Sequence, residues 1–115
     1  VIVVDTSVWI ATMRRQHQPE VERLRAAITD SEPVIVGDVV LLEILQGARS
    51  DAHAAQVEQA MRTFTIMPML NADMAVAGSR HYRALRGRGI TVRKTIDLII
   101  GTFCIENRYR LLHAD

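Results

Sequence analysis

The chain opens VIVVDTSVWI, residues 1–10, and the reading of that stretch sets the fold. Val1, Ile2, Val3 and Val4 are consecutive β-branched apolar residues, the run expected of a strand buried on both faces of a parallel sheet. Asp5 follows at once, at the carboxyl end of the strand, where open parallel sheets gather their ligands. Thr6 or Ser7 is placed to cap a helix running to about residue 16.

The same pattern recurs along the chain. VIVG at 34–37 reads as a second buried strand, FTIMPM at 64–69 as a third whose Pro68 marks a strand end or a sheet edge, and YRLLHA at 109–114 as a fourth. Between them lie helical segments. One starts at Pro19 with apolar positions at Val21, Leu24, Ala27 and Ile28. The next is capped by Asp38 and ended by Gly47, and a polar helix covers 51–63. Another spans about 72–86 and stops at the glycines of RGRG, and the last, capped by Thr95, runs from 96 to about 107. Strand alternating with helix implies an α/β domain, a central parallel sheet of about four strands sandwiched in three layers between helices. At 115 residues the chain fits one domain, and it contains no internal repeat, low-complexity tract or linker.

Composition narrows the class. Hydrophobic residues make up 49% of the chain, yet no apolar run approaches the roughly 20 residues of a membrane-spanning helix. The opening residues lack the basic start and small-residue cleavage site of a signal peptide, so a soluble, cytoplasmic protein without membrane attachment is expected. Cys104 is the only cysteine, which removes an internal disulfide and a thiolate zinc cluster; between Phe103 and Ile105 it reads as a core residue. The net charge of +1 hides an asymmetry. From Met74 to Ile96 there is no acid, while Arg80, Arg83, Arg86, Arg88, Arg93 and Lys94 fall in that stretch.

Four acids sit where apolar structure does not call for them: Asp5 after VIVV, Glu43 within VVLLEIL, Asp97 before LII, and Asp115 closing LLHAD. Each has an ordinary explanation. Asp suits the turn before a helix, the helix dipole favours an anion at the position of Asp97, Glu43 can be held in a structural salt bridge, and Asp115 can be a solvated terminal residue. Carboxylates are costly to bury unless paired or bound to a cation, however, so their joint occurrence points to one shared metal site. A set of acids without His or Cys ligands favours Mg²⁺ or Mn²⁺ over zinc, and the matching chemistry is metal-assisted hydrolysis of a phosphodiester. Arg93 and Lys94, just before Asp97, are the preferred substrate contacts, because phosphate recognition uses such side chains.

VIVVDTSVWI, the central VVLLEILQG and the late KTIDLIIGTFCIENRYRLLHAD together resemble the PIN-domain nucleases, and more narrowly the VapC toxins of bacterial type II toxin–antitoxin pairs. DTS after the first strand and DLIIGT at the start of the last helix carry most of the resemblance, which covers nearly the whole chain. It implies a PIN-like fold and a single PIN domain over residues 1–115 that lacks a short C-terminal segment, since the family usually continues past its last acid. It further implies that Asp5, Glu43, Asp97 and Asp115 bind Mg²⁺ or Mn²⁺ and are catalytic. By the same resemblance Thr6 matches the hydroxyl position beside the first acid and is expected to support the set by hydrogen bonding to a carboxylate or a metal-held water. RNA is the implied substrate, a VapB-like antitoxin the implied inhibitor, and a homodimer the implied assembly.

Two other functions fit parts of the pattern. A phosphoacceptor signalling domain also arranges acids around magnesium, but it calls for clustered acids after the first strand and a lysine at a later strand end. A PIN module that binds RNA or protein without turnover is the other. The absence of GxxxxGK[ST], GxGxxG and GxSxG disfavours nucleotide-triphosphate, dinucleotide and acyl-transfer enzymes. Trp9 and Met13 form an apolar stripe read as core or partner contact, and of the four histidines only His113 is expected near the site.

Overall fold

The computed structural model describes residues 1–114; Asp115 lies outside the described residues. Ten elements follow the opening pattern: β1 (Ile2–Val4), α1 (Thr6–Met13), α2 (Pro19–Thr29), β2 (Val34–Gly37), α3 (Asp38–Gln46), α4 (Asp51–Met61), β3 (Thr65–Met67), α5 (Ala72–Gly87), α6 (Thr95–Asn107) and β4 (Arg110–Leu112). The four strands form one parallel sheet in the order β3-β2-β1-β4. β1 and β2, the two consecutive β-branched runs, are the central strands and are wholly buried. β3, followed by Pro68, is an edge.

This order also sorts the helices. The chain moves outward from β1 through β2 to β3 and then crosses back to β4, so right-handed crossovers put α1–α4 on one face and α5 and α6 on the other. The contacts agree: α1 packs on α2 and α3, α3 on α4, and α5 on α6. The result is an α/β three-layer sandwich. Its core joins β1 and β2 to Val8, Trp9, Leu24, Val40, Ile44, Ile100, Phe103 and Cys104.

Helix starts differ from the sequence reading at three places. Asp5, not Thr6 or Ser7, is the N-cap of α1, its side chain accepting from the Ser7 amide, and α1 ends at Met13. The cause is that β1 leaves Asp5 in extended geometry with its carboxylate turned back onto the first turn. Gly37 precedes α3 as its N-cap, which frees Asp38 Oδ1 to accept the amides of Val39 at 2.8 Å and Met69 at 3.1 Å. Lys94, not Thr95, is the N-cap of α6, with no side-chain cap bond.

The parallel sheet fixes where the helices begin and end. A helix that enters a parallel strand runs antiparallel to it, so α6 begins at the carboxyl edge of the sheet and ends where β4 starts. No helix among the described residues is long and apolar enough to cross a membrane.

Candidate functional site

Asp5 stands at the end of β1 and Asp97 in the first turn of α6, so both belong to the carboxyl edge. They line one solvent-open cleft of about 240 Å³ with Ile100, Leu111 and His113. Asp5 is half-buried and held firmly: Oδ2 accepts from Ser7 Oγ at 2.6 Å and from the Ser7 amide at 3.4 Å. Its own amide donates to Leu112 O at 2.9 Å, and the Ala114 amide donates to Ser7 Oγ at 3.2 Å. The ends of β1 and β4 are therefore tied together through DTS. Asp97 is exposed and is the acidic residue of the first turn of α6, where unsatisfied N–H groups and the helix dipole favour a negative charge.

Glu43 sits elsewhere. α3 starts at the carboxyl edge and runs away from it, which carries Glu43 roughly 8 Å down the helix axis. Glu43 is among the residues lining the groove of Ile10, Arg14, Arg49 and His53 and not among those lining the cleft of Asp5 and Asp97. The partner its apolar neighbourhood demanded is a hydroxyl and not a cation: Thr6 Oγ1 donates to Glu43 Oε1 at 2.6 Å. Thr6 is buried and adjoins Asp5, so the bond spans the gap between the two acids' helices. Removing it by Thr6→Val is expected to cost about 1–2 kcal/mol, because a half-buried carboxylate loses a charge-assisted bond. Chemical denaturation of the two proteins would reveal it, and an unchanged midpoint would contradict the assigned role.

The structure thus brings Asp5 and Asp97 into one cleft, leaves Glu43 one hydrogen bond away from it, and does not describe Asp115. Among the described residues no three His, Cys, Asp or Glu side chains gather as a metal-holding group. Two carboxylates on an open cleft nonetheless suit a hard cation. Mg²⁺ keeps several waters and is commonly held by one or two carboxylates together with a substrate phosphate. The residues present fit that ion and offer no thiolate set for zinc.

The basic stretch is dispersed in space. Gly78 lies against Thr102 and Leu98, and His81 Nε2 is 3.2 Å from Glu106 Oε2, so α5 and α6 run parallel. α5 therefore starts at the carboxyl edge and carries Arg80, Arg83 and Arg86 progressively away, Arg86 by roughly 20 Å. The loop after it returns, and only Arg93 and Lys94 reach the start of α6. Trp9 is buried against Phe64, ring centroids 5.0 Å apart, whereas Met13 is exposed. Ser7 was legible only as a cap; its spacing of two from Asp5 is the signal for its second task of fixing the carboxylate.

Cys104 lies behind the site on α6. Burial, and secondarily the charge of Asp5, pushes its thiol from 9.0 up to about 11. Because the folded chain holds this proton more tightly than the unfolded one, the thiol's contribution to stability is complete below about pH 9 and is lost as pH rises to about 11. Wild type is expected to lose stability relative to Cys104→Ala across that window. Parallel pH–stability profiles for the two proteins would contradict this.

A parallel α/β sandwich with a carboxylate from the first strand and another from the last helix meeting at its carboxyl edge defines a narrow structural class. The PIN domain family matches residues 2–115, and the chain belongs to that family. Solved structures agree on the fold. A chain in the crystal structure of VapBC2 from Rickettsia felis, bound to a DNA fragment from its promoter, superposes with a TM-score of 0.75 at 13% identity, covering 96% of this chain and 84% of that one. A toxin–antitoxin complex from Klebsiella pneumoniae gives a TM-score of 0.72 at 19% identity over 96% and 83% of the two chains. DNA-bound VapBC from Salmonella typhimurium gives 0.68 at 16% over 90% and 77%.

Proposed function

We propose that this chain is a Mg²⁺- or Mn²⁺-dependent endoribonuclease, the toxin of a type II toxin–antitoxin pair, which hydrolyses RNA phosphodiesters in the cytoplasm. The observation that carries the reading is the shared cleft of Asp5 and Asp97 at the carboxyl edge. Membership of the PIN domain family supports it, and the fold's likeness to chains of toxin–antitoxin complexes supports an antitoxin partner. Self-association as a homodimer is part of the same reading.

Asp5 and Asp97 are the residues proposed to hold the ion, with Glu43 and Asp115 completing the acidic set. When bound, the ion supplies Lewis-acid activation of water and neutralises charge on the phosphate. The chain contributes position. Ser7 fixes the Asp5 carboxylate, and Thr6 ties Glu43 to the DTS turn. Arg93 and Lys94, exposed at the mouth of α6, bind the substrate phosphates beside the cleft.

Cleavage of a labelled RNA by the purified chain, with and without chelator, tests the reaction, and the kinetics of Arg93→Gln/Lys94→Gln test the substrate contact. Loss of two phosphate contacts is expected to raise KM about tenfold or more with kcat near wild type, and to flatten the salt dependence. Cleavage that survives chelation would overturn the reading, and an unchanged KM would remove the two cations from it.

A further inference from the structure

The helical layer of α1, α3 and α4 carries a groove of about 460 Å³, in which Ile10, Ile44 and Val57 supply apolar lining and Arg14, Arg49 and His53 supply polar lining. Glu43 lines it as well, and the bond from Thr6 Oγ1 to Glu43 Oε1 ties the groove to the turn that holds Asp5. Arg14 and Arg49 are exposed, and neither is in an ion pair among the described residues. Two arginines against the single carboxylate of Glu43 leave the lining net positive. The Arg49 amide donates to His53 Nδ1 at 3.1 Å. A backbone amide can only donate, so Nδ1 accepts and the ring proton sits on Nε2, which makes Nε2 a donor. His53 is itself placed by Ser50 Oγ, which accepts the His53 amide at 3.1 Å.

Unpaired cations, a donor of fixed tautomer and an apolar floor match the three parts of a nucleotide: its phosphate, the edge of its base and the face of its base. A peptide segment would suit the apolar floor, but the charge of the rim favours an anionic chain. We propose that this groove binds RNA nucleotides flanking the scissile phosphate, with Arg14 and Arg49 on backbone phosphates and His53 reading one base. Arg93 and Lys94 precede α6, which belongs to the opposite helical layer. The strand therefore crosses the carboxyl edge from one layer to the other, held by a cationic pair on each side of the acids. Sequence preference lies in the groove, because phosphate contacts position the strand and base contacts read it.

This role rests on the ribonuclease reading above, and the test separates the two. The experiment is cleavage kinetics and 5′-end mapping on a single-stranded RNA of mixed sequence with Mg²⁺, with circular dichroism confirming the fold of each variant. Arg14→Gln/Arg49→Gln is expected to raise KM about tenfold or more with kcat near wild type, and to lower the slope of log KM against log salt by about 1.4. Arg14→Lys/Arg49→Lys keeps both charges and is expected to stay within about threefold of wild type. Arg25→Gln/Arg110→Gln removes the same charge away from the groove and is expected to leave KM near wild type. His53→Ala is expected to weaken the preference for one base beside the cut about threefold to tenfold, and His53→Gln, which keeps a donor, to weaken it less. No cleavage by wild type overturns the ribonuclease reading and the groove's role with it. Wild-type cleavage whose KM and base preference the groove variants leave unmoved, as a groove reserved for a protein segment would give, overturns the groove alone. An equal rise in KM for Arg25→Gln/Arg110→Gln does the same.

Discussion

Asp5→Asn and Asp97→Asn are each expected to lower Mg²⁺-dependent RNA cleavage by more than about 100-fold, with the fold intact. Changing groups that merely orient metal ligands commonly costs 10–100-fold, as a rule of thumb, and a proposed ligand should exceed that. The substitutions are chosen for their structural mildness. Asn is as good an N-cap as Asp, and in Asp5→Asn the side-chain carbonyl would still accept from Ser7, so α1 should keep its start. Asp97→Asn forfeits a favourable charge at a helix N-terminus, worth about 0.3–1 kcal/mol. Loss of cleavage should therefore appear in kcat/KM and in metal affinity, with thermal unfolding little changed. Folded variants that cleave at the wild-type rate would remove these carboxylates from the mechanism.

The largest effect on stability is expected around Gly37. A Cβ built there would lie 2.2 Å from Met69 Sδ and 2.4 Å from its methyl carbon. Met69 is 1% exposed and its amide is held by Asp38, so a methyl at residue 37 is accommodated only if the Met69 side chain leaves its packed position. Gly37 has an ordinary extended backbone, φ −70°, which makes the requirement for glycine steric and not conformational. Gly37→Ala is expected to cost about 1–3 kcal/mol by overpacking, and Met69→Ala about 2–4 kcal/mol by the cavity it leaves. Together they should cost at least about 1 kcal/mol less than their sum, because the smaller residue vacates the space the new methyl needs. Urea unfolding of the four proteins measures this, and additive losses would contradict the contact.

The two predictions mark what the sequence could and could not reveal. β1 and β2 were legible because four consecutive β-branched residues, or VIVG, fit a strand covered on both faces, and the parallel sheet followed from strand alternating with helix, whereas the strand order β3-β2-β1-β4 did not. Asp5 was legible as a carboxyl-edge residue for the same reason, whereas Asp97 was legible only as an acid in the first turn of a helix, its place at that edge depending on which way α6 runs. Glu43 was legible as a residue needing a partner but not as one bonded to Thr6, because that bond depends on how α1 packs across α3 over a separation of 37 residues. The cations of residues 80–94 looked continuous in one dimension, yet the parallel arrangement of α5 and α6 separates Arg86 from Arg93 in space. Each helix cap fell one residue earlier than read, or two where Ser7 was the alternative, because the last extended residue before the helix takes the role: Asp5 after β1, Gly37 at the end of β2 and Lys94 at the end of a loop.

The central claim is that this carboxyl edge cuts RNA with a divalent ion held by Asp5 and Asp97. Mapping of newly formed 5′ ends in one RNA treated with wild type plus Mg²⁺, wild type plus chelator, and Asp97→Asn plus Mg²⁺ tests it most directly. Discrete new ends in the first reaction alone are the expected result. The same ends in all three, or none in the first, would contradict the account.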